Sequence, residues 1–268
     1  RPLGAHLEGP YLSPRYKGAH DEAQIRAFDD EEWRSLAAAA RGTIRVVTVA
    51  PEAPGNESAV STIRRSGCVV SLGHSDATYQ EARDAALAGA SMTTHSWNAM
   101  RPLHHREPGL PGAALSLDDL TAAVIPDGIH VHPTLVGLLV RAKGPDRVAA
   151  VTDAVSVAGL PPGDYRWEGR PVHYDGRAPR LADDTLAGSG ATADGLLRTL
   201  VREVGLPMTQ AVRLLTSTPA HVLGIERHAG ALRPGAWADL VVLDEDLRVK
   251  ATLVRGEFAY RRDDTSHG

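Results

Sequence analysis

Short apolar runs alternate with amphipathic stretches along most of the chain. Residues 3–7, 44–50, 68–72, 91–95, 121–125 and 147–152 each read as a strand. These runs are apolar on both sides rather than alternating, which suits a parallel sheet covered on both faces. Helical stretches fill the gaps. Residues 30–41 are acidic at the start and basic at the end, as a helix dipole prefers. In residues 78–90, Ala82, Ala86, Leu87 and Ala90 fall on one face, and further on Leu135, Leu138, Leu139 and Ala142 repeat at helical spacing. Strand–helix alternation of this kind builds βα units, and six in succession predict an α/β fold: most of a (β/α)₈ barrel, or an open α/β sheet.

The pattern breaks at residues 159–187, which are rich in Pro, Gly and Asp and read as a loop or hairpin excursion. Two helices follow, with Leu196, Leu197, Leu200, Val201 and Val204 forming one apolar stripe. The tail changes character again. Residues 239–244 and 250–255 read as strands joined by a polar turn, a small β appendage. The expected division is a barrel domain over residues 1–225 and appendage strands over 226–268.

Composition narrows the classes. With 268 residues and 43% hydrophobic content, the chain can bury a sizeable core. A net charge of −4 and the absence of basic runs argue against a nucleic-acid partner. No run of eighteen apolar residues is present, so no membrane span is expected. The lone Cys68 rules out a disulfide framework within the chain and fits a reducing, cytoplasmic location. The chain opens on Arg1 rather than methionine, which reads as a cut or incomplete start.

Chemistry concentrates at the strand ends. The first run ends in Glu8, the third in His74, the fourth in His95; the fifth leads into Asp127 and His130, and the sixth into Asp153. The second ends only in Glu52, a weaker candidate. In β/α barrels the active site is built from the C-terminal ends of the strands. One carboxylate and two neutral imidazoles suit one divalent metal per subunit, Zn²⁺ or Fe²⁺, and a metal of this kind acidifies a water. An aspartate at the same mouth is placed to move a proton. Taken singly, each has a plainer reading: a packed histidine, a helix cap at Asp153, a buried ion-pair partner at Glu8. Their joint occurrence favours the site. His104, His105, His173, His221, His228 and His267 read as surface residues, and His132 opens a helix with Pro133.

Eight motifs occur in order: His6-Leu7-Glu8-Gly9-Pro10, Lys17-Gly18-Ala19-His20, Gly73-His74-Ser75-Asp76-Ala77-Thr78, Thr94-His95-Ser96-Trp97-Asn98-Ala99-Met100, Arg106-Glu107-Pro108-Gly109, Asp127-Gly128-Ile129-His130-Val131, Val151-Thr152-Asp153-Ala154 and Thr185-Leu186-Ala187-Gly188-Ser189. Together they closely resemble the N-acetylglucosamine-6-phosphate deacetylases of the amidohydrolase superfamily, from about Leu3 to Arg255. The resemblance implies a (β/α)₈ barrel with a small β-sandwich made from both chain ends, and a homodimer. It implies Glu8, His74 and His95 as metal ligands and Asp153 as general base, then general acid. It further implies His130 near the scissile acetamide, Ala19 and His20 on the sugar, and Asn98, Ala99 and Arg106 on the phosphate, with Arg106 reaching in from a partner subunit. Leu186, Ala187 and Gly188 would line the acetyl side. A guanidinium matches phosphate oxygens bidentately, which agrees with the Arg106 assignment.

Members of that family carry residues ahead of the first motif here, including two barrel strands and, in many, a His-x-His pair for a second metal. Their absence implies a barrel lacking strands 1–2, tail strands short of partners, and little deacetylase activity from residues 1–268 alone. The expected reaction is deacetylation of N-acetylglucosamine 6-phosphate to glucosamine 6-phosphate and acetate. The alternatives are the N-acetylgalactosamine epimer or another amidohydrolase, and an inactive sugar-phosphate-binding fragment.

Overall fold

The computed structural model describes residues 2–262. Six strands lie side by side: β1 (Ala5–Glu8), β2 (Ile44–Val49), β3 (Val69–Leu72), β4 (Met92–Thr93), β5 (Thr121–Val124) and β6 (Val148–Ala150). They pair in chain order, β1-β2-β3-β4-β5-β6, and every pairing is parallel. A doubly wound sheet reverses its strand order at a switch point, whereas a barrel wall keeps neighbours consecutive. The order here is that of a barrel wall, which decides between the two folds the pattern left open.

Helices α1 (Asp30–Ala40), α2 (Ala59–Arg65), α3 (Tyr79–Leu87), α4 (Gly109–Ser116) and α5 (Pro133–Lys143) separate the strands. Local chemistry fixes their starts. The Asp29 side chain caps α1, Thr78 and Glu81 form a capping box on α3, and the His132 ring caps α5 ahead of Pro133. On β2, Val47 and Val49 pack outward against the helices while Val46 and Thr48 turn inward. Leu7, Val70 and Leu72 join the outward set, and Ala122, Val124 and Val148 pack against α5 and its neighbours. The inner face therefore carries the polar positions. A chain of hydrogen bonds crosses it, from His6 Nε2 to Thr48 Oγ1 at 2.7 Å, Thr48 to Thr94 at 2.8 Å, and Thr94 to Ser71 at 2.6 Å.

Two helix faces differ from the sequence pattern. Leu87 is 74% exposed, and the buried face of α3 is Ala82 and Ala85. Leu135 and Leu138 are also exposed; α5 buries Val136, Leu139, Val140 and Lys143 instead. Lys143 reaches a core position because its ammonium donates to the Leu117 carbonyl at the end of α4.

The excursion is a three-stranded antiparallel sheet, β7 (Gly163–Trp167), β8 (Arg170–Tyr174) and β9 (Pro179–Arg180). After it, residues 186–190 run back beside the end of β6. Ala154 pairs with Ser189 in parallel, Ser189 N donates to Asp153 O at 2.8 Å, and Val155 N donates to Ser189 O at 3.1 Å. Three helices follow: α6 (Ala193–Arg202), α7 (Met208–Leu215) and α8 (Ser217–Val222). Val222 and Leu223 pack with Val46, Met92 and Ala123 beneath the inner face. The tail forms β10 (Leu240–Leu243), β11 (Val249–Val254) and β12 (Glu257–Arg261), one antiparallel sheet. Leu243 and Leu247 pack on the α5–α7 core, and Arg198 donates to the Leu247 carbonyl at 3.0 Å. No helix among the described residues is long and apolar enough to cross a membrane.

Candidate metal centre

Glu8 is the last residue of β1, and His74 and His95 lie just past β3 and β4. Because these strands lie in one wall, with only β2 between β1 and β3, the three side chains converge. Glu8 Oε1 stands 3.0 Å from His95 Nε2 and 3.2 Å from His74 Nε2, and the two ring nitrogens are 3.1 Å apart. Ligand atoms about 2.0–2.1 Å from a tetrahedral cation stand about 3.3 Å from one another. The spacing therefore fits a divalent ion. His74 Nδ1 lies 2.9 Å from the Tyr16 carbonyl, which accepts its N–H. That bond holds a proton on Nδ1, so a bound cation would meet the Nε2 lone pair, the arrangement a metal ligand needs.

The electrostatics agree. Burial alone would raise the Glu8 carboxyl, but hydrogen bonds with His74 and His95 outweigh it and hold the group well below the usual carboxylate range. Burial would lower His95, but the bond to Glu8 and its charge outweigh that and raise it. Glu8 and His95 thus favour one another's charged forms.

The backbone around the centre is unusual. His74, His95 and Asp153 all have positive φ, at 47°, 28° and 49°, as do Trp97 and Ala99 at 74° and 49°. Residues with a Cβ resist this region, so the surrounding contacts must hold them there. Ser75 Oγ and Asp76 N both donate to the Glu52 carboxylate, at 2.7 and 2.6 Å. Glu52 is absent from the cavity wall and braces the His74 loop from behind. Gly188 serves Asp153 in a similar way. Its φ is 73°, and a Cβ there would sit 2.4 Å from Val155 Cγ1 and 3.0 Å from the Asp153 carbonyl.

A cavity of about 610 Å³ opens over the centre. Its wall includes Glu8, His74, His95 and Asp153, with Ala19, His20, Asn98, Ala99, His130, Leu186 and Gly188. Most positions expected from the motifs are therefore brought together. His20 packs edge-on against the His74 ring, with centroids 4.6 Å apart. Burial first, and His74 second, lower its pKa, which favours the neutral ring.

Two expected residues do not reach this cavity. Ala187 is fully buried and packs with Ala19, Val157, Val172 and Tyr174, because neighbouring positions on an extended segment point to opposite sides. Arg106 lies exposed in the loop before α4, with its guanidinium 2.8 Å from His105 Nε2. His104, His105, His173, His221 and His228 are exposed, as expected; His267 lies outside the described residues. The sequence reading missed His6, Trp167, Glu168, Arg180 and Asp184, which also line the cavity. His6 stands two positions before Glu8, so the inward alternation of β1 was the available signal. The other four come from the excursion, which carries no local pattern that points at the barrel.

Comparison with known protein families matches the amidohydrolase family over residues 1–259. The chain belongs to the amidohydrolase family. This amidohydrolase is 38% identical over 257 residues to an N-acetylgalactosamine-6-phosphate deacetylase of Escherichia coli O157:H7, covering 96% of this chain and 68% of that protein. It is 38% identical over 258 residues to an N-acetylglucosamine-6-phosphate deacetylase of Bacillus subtilis, covering 96% and 65%. Among solved structures, a mutant N-acetyl-D-glucosamine-6-phosphate deacetylase from Mycobacterium smegmatis, in complex with N-acetyl-D-glucosamine-6-phosphate, superposes with a TM-score of 0.91 at 41% identity. That match covers 95% of this chain and 68% of the other. The chain thus spans about two thirds of the length of the relatives it matches.

Proposed function

We propose that this amidohydrolase removes the acetyl group from N-acetylglucosamine 6-phosphate, using one divalent cation held by Glu8, His74 and His95. The observation that carries the reading is the convergence of these three side chains, with ligand atoms all within 4.8 Å, beneath the cavity that Asp153 lines. When bound, a divalent cation there supplies Lewis acidity to an amide carbonyl and to a water. Asp153 takes the proton of the attacking water and returns it to the departing amine. Ala19 and His20 face the sugar, His130 stands beside the acetamide, and Leu186 and Gly188 close the acetyl side. Asn98 and Ala99 approach the phosphate, and Arg106 completes that subsite from a second copy of the chain; its position outside its own cavity supports this arrangement. The appendage begins at residue 226, and the location is cytoplasmic.

The galactosamine epimer is a second reading, favoured by the 38% identity to the Escherichia coli enzyme. Acetate release decides between them. The metal-loaded protein is expected to turn over the glucosamine epimer fastest and to favour it over unphosphorylated N-acetylglucosamine by about 100-fold or more, the scale of one lost charge-assisted contact. Asp153→Asn should keep its metal and lose at least about 100-fold in turnover. Preferential turnover of the galactosamine epimer supports the second reading, and no acetate from either epimer with the protein at the full length of its relatives refutes both.

A further inference from the structure

His130 and Asp127 follow β5 and form a buried pair that the metal centre does not use. Their side chains are 4% and 7% exposed. Asp127 Oδ2 lies 2.7 Å from His130 Nδ1, while Oδ1 accepts from the backbone N–H groups of Ile129 and His130 at 2.9 and 2.8 Å. Burial would raise the Asp127 carboxyl, but the bonds from His130 outweigh it and lower it, so the group is a carboxylate. A carboxylate only accepts, so Nδ1 carries the hydrogen. The other ring nitrogen, Nε2, is buried without a partner, and His130 lines the same cavity as Asp153. A buried nitrogen of this kind is costly until a ligand supplies its partner.

We infer that Asp127 is a positioning residue: by holding the His130 proton on Nδ1, it presents Nε2 to the cavity as a bare acceptor for a hydroxyl or N–H of the bound ligand. The ligand's use of that acceptor rests on the deacetylase reading; the proton's place does not. In its neutral form the ring selects ligands that offer a donor at this point, as a hydroxylated sugar or a secondary amide does.

The backbone supplies a sharp test. In Asp127→Asn, the two N–H groups of Ile129 and His130 still require an oxygen at the Oδ1 position. The amide nitrogen must then face His130 Nδ1, which becomes an acceptor, and the ring proton moves to Nε2. A nearly isosteric change thereby reverses the polarity of His130 inside the cavity, a wrong-tautomer effect. ¹⁵N NMR of the histidine rings in the metal-loaded protein reads this directly, with His130→Gln assigning the signal. The unsubstituted protein should show neutral His130 protonated on Nδ1, a measurement that needs no other variant to fold. Asp127→Asn should show Nε2 protonated, unchanged metal content and kcat/KM lower by about 100-fold. A neutral ring protonated on Nε2 in the unsubstituted protein, or an unchanged tautomer in Asp127→Asn, overturns the positioning role. A switched tautomer with undiminished kcat/KM overturns the acceptor role. If the unsubstituted protein at the full length of its relatives releases no acetate, the deacetylase reading fails, and the ring spectra alone decide what Asp127 does.

Discussion

Glu8 and His95 shift in opposite directions because each is the other's partner, and that coupling sets a pH dependence. The folded-state pKa of Glu8 is lowered, so its contribution to stability is present above the unfolded value of about 4.3 and is lost as pH falls through the folded value. The folded-state pKa of His95 is raised, so its contribution is present below the unfolded value of about 6.5 and is lost as pH rises through the folded value. Without a cation, the cluster is therefore most stabilising at about pH 5–6. A cation must displace the imidazole proton, so its binding strengthens as pH rises. The difference in Tm between metal-loaded and metal-free protein should widen from about pH 5.5 to about pH 8. Paired thermal melts check it; a constant or shrinking difference would contradict the assigned cluster. The convergence of Glu8, His74 and His95 was legible in the sequence because each lies at the end of an apolar run, and a barrel gathers such ends at one mouth. Asp127 and Glu52 were not legible in their bracing roles. Each acts through a neighbour's ring or backbone, and only folding brings those atoms together.

At the level of elements, strands were easier to read than helix faces. Residues 44–50 are apolar enough that β2 has no alternative. The Leu-rich α5, by contrast, offers two adjacent stripes, and tertiary contact with α6 and α7 selected Val136, Leu139 and Val140 over Leu135 and Leu138. Helix α4 was hidden by its composition, since Gly109, Pro111 and Gly112 are poor helix formers that only burial rescues. Hardest to see was the return of residues 186–190 beside β6, because it rests on a single parallel bridge rather than a strand-length pattern. That return nonetheless holds Asp153 in its positive-φ conformation through Ser189. Gly188→Ala tests the coupling. The added methyl meets Val155 and the Asp153 carbonyl at a backbone angle that L residues avoid. The variant should lose about 2 kcal/mol of stability in denaturant melts and most of its turnover, while metal content stays near that of the parent. Full turnover in a destabilised variant would show that Asp153 does not depend on this contact.

For the whole molecule, the proposed phosphate subsite can be tested for a contribution from a second copy of the chain. Its cavity includes Asn98 and Ala99 but not Arg106, whose guanidinium lies in an exposed loop beside His105. If Arg106 serves the cavity of a second copy, then loss of Arg106 and loss of Asp153 damage different sites within one dimer. Consider an Arg106→Ala chain paired with an Asp153→Asn chain. The first keeps Asp153 and receives Arg106 from its partner, so its site is whole. The second lacks both the proton carrier and a supplied arginine. Random exchange of equal amounts gives one half mixed dimers, each with one working site of two, so about a quarter of the unsubstituted activity returns. Either variant alone should stay at least about 100-fold below the parent on the phosphorylated sugar. The assay is acetate release before and after subunit exchange, with equal protein throughout. If Arg106 instead folds back into its own cavity, mixing restores nothing, because no chain in the mixture then holds both residues for one site. Recovery near a quarter is an outcome that a monomeric enzyme, or a dimer with self-contained sites, does not produce.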